Sequence, residues 1–98
     1  MKTNDWRLPA AKKAAKEIKR FIARVDRIKT WVAARPAEGE DQTAWMEARP
    51  PQRAFPSKNA KHKAYDRGSW ILRMFPEIEN QMLDMDDLRA IVKTVEAM

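Results

Sequence analysis

Cysteine is missing from this chain, which excludes disulfides, thiolate metal ligands and the disulfide-stapled class of small secreted domain. Glycine occurs only at Gly39 and Gly68, too sparsely for a loop that cradles phosphates. The one histidine, His62, lies between Lys61 and Lys63, with no adjacent carboxylate to orient it as a base. No apolar run approaches the roughly 20 residues that cross a bilayer. The opening MKTNDWRLPAAKK carries no apolar secretory segment, so the expected setting is cytoplasmic, away from membranes.

What the chain does have is charge, unevenly spread. Its 98 residues are 44% hydrophobic and 35% charged, which suits one folded domain over residues 1–98 and not a disordered tail. Net charge is +6. Residues 1–35 hold eleven Lys/Arg against three Asp/Glu, residues 36–68 six against five, and residues 69–98 three against six. A basic leading third suits a polyanion. It equally suits an internal arrangement in which the acidic end lies on the basic one.

The pattern predicts an all-α single-domain bundle of four to five helices with a long first helix. Pro9 belongs in a first helical turn, where its missing N–H costs nothing. Ala11, Ile18, Val25 and Val32 recur every seven residues, and Ala14, Phe21 and Ile28 form a second series offset by three. Together they make one apolar stripe on a helix over 9–35. PAEGED reads as a turn, and Asp41 as the cap of a helix over 41–49 that Pro50 and Pro51 end. Ser57 opens a short helix over 57–66, which Gly68 closes in a left-handed conformation. Ser69 caps a helix over 69–83 kinked at Pro76, with Ile71, Met74, Phe75, Ile78 and Met82 on one face. Asp86 caps the last helix, 86–97, whose apolar face is Leu88, Ile91, Val92 and Val95. Trp6, Trp31, Trp45 and Trp70, each in or beside a different element, are expected to cement helix contacts.

Catalytic signals are poor, and the chain is expected not to be an enzyme and to need no cofactor or metal. Asp84 to Asp87 hints at a cation loop. Yet a calcium loop starting at Asp84 needs glycine sixth and glutamate twelfth, where Arg89 and Val95 stand. Helix capping explains the run more simply. A small basic ribonuclease would draw on Lys61, His62, Tyr65 and Arg67, but their spacing lends it no support.

Binding is the better-supported class. The stretch Lys12–Lys29 carries eight cations and only Glu17 and Asp26 as acids. Lys12, Lys13, Lys16, Lys19, Arg20 and Arg27 fall on the side away from the apolar stripe, where they can neutralise phosphates. A second candidate segment interleaves cations with aromatics: Arg53, Phe55, Lys58, Lys61, Lys63, Tyr65 and Arg67. Such mixing suits single strands, whose bases stack while their phosphates pair. The plain alternative has Phe55 and Tyr65 anchoring a long connection to the core. The expected partner is therefore nucleic acid or a nucleic-acid-containing complex. A competing reading is a regulator, inhibitor or adaptor of phage or mobile-element type, docking the same cations on an acidic protein surface. A homodimer through the stripe is not favoured, since so small a chain needs those groups for its own core.

Overall fold

The computed structural model describes residues 6–78 and 83–98. Between Leu8 and Ala33 the chain has no glycine and one proline, and it is rich in Ala, Lys and Arg, good helix formers. That run is helix α1, Arg7–Ala33, about 40 Å long at about 1.5 Å per residue. Pro9 sits in its first turn, where backbone N–H groups have no helical acceptor. Pro36 ends it, because the residue before a proline is pushed out of helical conformation. The last carbonyls are taken up by Ala34 and Arg35 N–H groups.

A turn follows, built on Gly39, whose φ of 93° is a left-handed value that side-chain-bearing residues rarely adopt. The Gln42 side-chain amide donates to the carbonyls of Pro36, Ala37 and Glu40 and holds the turn together. Helix α2 is short, Thr43–Glu47. A 3-10 turn spans Gln52–Ala54. Helix α3 is Ala60–Met74 and helix α4 is Met85–Glu96. Among the described residues there is no strand, so the all-α architecture with a long first helix stands.

Several boundaries differ from the sequence expectation. The expected helices over 57–66 and 69–83 are one helix, α3, which begins three residues after Ser57 and runs unbroken through Gly68 and Ser69. Gly68 serves a different purpose from a left-handed cap. A Cβ there would lie 3.1 Å from Leu88 Cδ2 and 3.5 Å from Ile91 Cδ1, so the absent side chain lets α4 approach α3. In place of a kink, α3 ends at Met74, just ahead of Pro76. The remainder of the expected 69–83 helix, including Met82, reaches into residues 79–82, outside those described. Asp86 is not the cap of α4. Asp84 is, accepting from Asp87 N–H at 2.9 Å while Asp87 accepts from Asp84 N–H at 3.1 Å, a reciprocal capping box. Asp41 lies one residue outside its expected capping position, with its Oδ1 accepting from the backbone and hydroxyl of Thr43.

The core joins the first two-thirds of α1 to α3 and α4. Ala11, Ala14, Ala15, Ile18, Phe21 and Ile22 of α1 bury against Ala64, Ile71, Phe75, Ile78, Leu88, Ile91, Val92 and Val95. Both partner helices run antiparallel to α1. Arg7 donates to the Met74 carbonyl and Glu17 pairs with Arg67, while Asp26 pairs with Arg89 and Lys19 with Glu96. α3 and α4 are therefore parallel, and both begin alongside the middle of α1. Consequently the stripe loses its cover further along: Val25 is half-buried and Val32 is 54% exposed.

The 3-10 turn at Gln52–Ala54 also touches α1, and the end of α1 meets α2 through tryptophan. Trp31 and Trp45 stack with ring centroids 4.1 Å apart and planes 2° from parallel. Trp31 Nε1 donates to the Trp45 carbonyl at 2.9 Å, and Trp45 Nε1 donates to the Trp31 carbonyl at 2.7 Å. Each indole thus satisfies a carbonyl near the other helix's C-terminus, where helical donors run out. Of the other tryptophans, Trp70 packs at the core edge and Trp6 is 72% exposed. The molecule measures 58 × 24 × 22 Å with a radius of gyration of 17.0 Å. A compact chain of this length has about 13 Å.

Candidate functional site

The antiparallel pairing of α1 with α3 brings two cation pairs to one groove. Arg20 and Arg24 stand four residues apart on α1, as do Lys63 and Arg67 on α3, so each pair shares a helix face. They rim a groove of about 200 Å³ whose floor is Ile18, Phe21, Ala60 and Ala64. One acid, Glu17, joins them, hydrogen-bonded to Arg67 Nε. That bond holds the Glu17 carboxyl below its ordinary range, with the charges of Arg67, Lys13 and Arg20 adding to it against an opposing effect of partial burial. The first turn of α3 lies at the groove and has no side-chain cap, so the positive end of its dipole faces the same space.

The remaining expected binding residues fall into three places. Lys13, Lys16 and Arg27 are exposed on the outer face of α1, and Lys12 is half-exposed beside them. Lys19, also exposed, reaches Glu96 at 3.4 Å across the α1–α4 seam. Among the described residues it is the one cation of Lys12–Lys29 in an ion pair; Lys12, Lys13, Lys16, Arg20, Arg24, Arg27 and Lys29 form none. The acidic third therefore does lie along the basic third, but it meets that helix mainly the other way round, through Arg89 held by Asp26 and Asp86.

The central aromatic segment is divided. Lys63 and Arg67 turn to the groove, while Lys61 and Tyr65 line a separate hollow with Phe21, Lys29, Asp84 and Arg89. Lys61 Nζ lies 5.7 Å from the Tyr65 ring. Phe55, half-buried after the 3-10 turn, lies under the Arg49 guanidinium at 5.1 Å. Both aromatics are thus engaged within the chain. Arg53 and Lys58 are exposed on either side of Phe55. His62 is exposed and lines neither hollow, so Lys61, His62, Tyr65 and Arg67 do not converge. Among the described residues no three His, Cys, Asp or Glu side chains gather as metal ligands, and no helix is long and apolar enough to cross a membrane.

Two charged groove residues were not among the sequence candidates, Arg24 and Glu17. The matching four-residue spacing of Arg20/Arg24 and Lys63/Arg67 was the available signal. It had no meaning until α3 was known to continue through Gly68 and to lie antiparallel to α1. No family model matches the chain, and neither a curated protein nor a solved structure matches it.

Proposed function

We propose that this chain is a non-catalytic binding protein that holds nucleic acid by its sugar–phosphate backbone. The groove between α1 and α3 and the outer face of α1 form the contact surface. The observation that carries this is the convergence of Arg20, Arg24, Lys63 and Arg67 on one groove beside Lys13, Lys16 and Arg27, which have no carboxylate partners among the described residues. Cations left without internal partners release counterions when phosphates replace water around them. Engagement of Phe55 and Tyr65 by Arg49 and Lys61 favours backbone contact over base stacking.

The test is fluorescence anisotropy with labelled single-stranded and duplex oligonucleotides over a salt series. Binding weakens steeply with salt, and the triple variant Lys13→Gln, Lys16→Gln, Arg27→Gln lowers the log–log slope by about 2–3. No binding to any oligonucleotide at low salt defeats the reading. A protein complex recovered from lysate that survives nuclease treatment points instead to docking on an acidic protein surface.

A further inference from the structure

The groove holds more positive charge than one carboxylate neutralises, yet that carboxylate stands in its midst. Glu17 occupies the wall of α1 one turn before Phe21, bonded to Arg67 Nε, with Lys13 and Arg20 one turn away on either side of it along the helix. Its side chain is 38% exposed and that of Arg67 39%, so both remain open to an incoming ligand. A carboxylate and a phosphate oxygen offer a guanidinium the same acceptor geometry. Arg24 and Lys63 complete the ring with no internal acid.

We propose that the α1–α3 groove is the seat of a single phosphate group and that Glu17 is its internal stand-in, bonded to Arg67 until phosphate displaces it. The proposal rests on the backbone-binding reading for its biological ligand, but the seat has a chemistry that can be tested without nucleic acid. Glu17 then sets the affinity: every phosphate that enters must first compete for Arg67. Outer-face cations act additively and non-selectively, whereas the groove recognises one group and saturates.

The experiment uses the whole chain and inorganic pyrophosphate, followed by amide chemical shifts, with an oligonucleotide titration alongside. Pyrophosphate is expected to shift amides near residues 17–24 and 60–67 and to saturate. Glu17→Gln, nearly the same shape, is expected to bind it at least about threefold tighter, consistent with removing an exposed competing pair. Arg24→Gln with Lys63→Gln abolishes saturation while leaving the far-ultraviolet circular dichroism unchanged. In the oligonucleotide arm, Glu17→Gln steepens the salt slope by about one phosphate contact. Unshifted groove amides, or equal affinity in wild type and Glu17→Gln, overturn the seat even if oligonucleotides bind. Saturable pyrophosphate binding that Glu17→Gln tightens, with no oligonucleotide binding, upholds the seat and defeats the nucleic-acid reading.

Discussion

Replacing Trp45 with alanine tests whether the α1–α2 clasp is a separate, locally stable unit. The substitution removes the ring stack, worth about 0.5–1.5 kcal/mol beyond its area, and the Trp45 Nε1 bond to the Trp31 carbonyl, worth about 1 kcal/mol. The reciprocal bond from Trp31 loses its alignment, and some ring area returns to water. The total local loss is about 2–4 kcal/mol. α2 buries no residue of its own, so the clasp is the main contact that holds it against α1. Ordering its backbone costs about 1–2 kcal/mol per residue, and without the clasp that cost wins. Opening should therefore be local. Amide exchange protection at Met46 and Ala48, which donate within α2, should vanish, and the circular dichroism band of coupled indoles should go with it. Global melting should fall by less than about 4 °C, whereas Leu88→Ala in the buried core costs about 2–5 kcal/mol and lowers melting by about 10 °C or more. A melting loss for Trp45→Ala equal to that of Leu88→Ala would refute the separation of clasp from core.

Three further outcomes follow from the packing and the charges. Gly68→Ala should change stability by less than about 1 kcal/mol in urea titration, because improved helix propensity offsets the 3.1 Å contact with Leu88. Gly68→Val should cost about 2 kcal/mol or more, and equal effects from the two would contradict a close helix approach. Asp84→Ala should cost about 0.5–2 kcal/mol and Asp86→Ala distinctly less, read by thermal melting. Because the Glu17 carboxyl titrates lower in the native chain than its ordinary 4.5, its contribution is complete above that pH and disappears as pH falls through the depressed native value. With both partners about two-fifths exposed, that contribution is under about 1 kcal/mol, and Glu17→Gln should flatten the acid limb of the stability curve by that amount.

Periodicity carried the fold a long way. The leading members of the α1 series, Ala11, Ala14, Ile18 and Phe21, and the 88/91/92/95 face of α4 are buried as the spacing predicts, whereas Val25 and Ile28 are half-buried and Val32 is exposed, because no helix covers the stripe there. It failed at Gly68, where one residue type serves two purposes. Glycine closes helices by its backbone freedom, but here its lack of bulk admits Leu88, a long-range fact that no local window contains. The same limit governed the site. Cations on α1's outer face could be read from the helical repeat. The groove could not, because it needs the pairing of residues 20–24 with residues 63–67. The twin tryptophans illustrate the remainder: their presence was plain, but their mutual capping depends on a turn that Gly39 and Gln42 fold back.

The overhang of α1 past its partner helices has a practical bearing on how the molecule behaves in solution. A body 58 Å by about 23 Å drags more water and tumbles more slowly than a sphere of 11.4 kDa. A single copy should leave a sizing column early, at a volume suggesting a pair. Stoichiometry for this chain therefore has to come from scattering or sedimentation, where mass and friction separate.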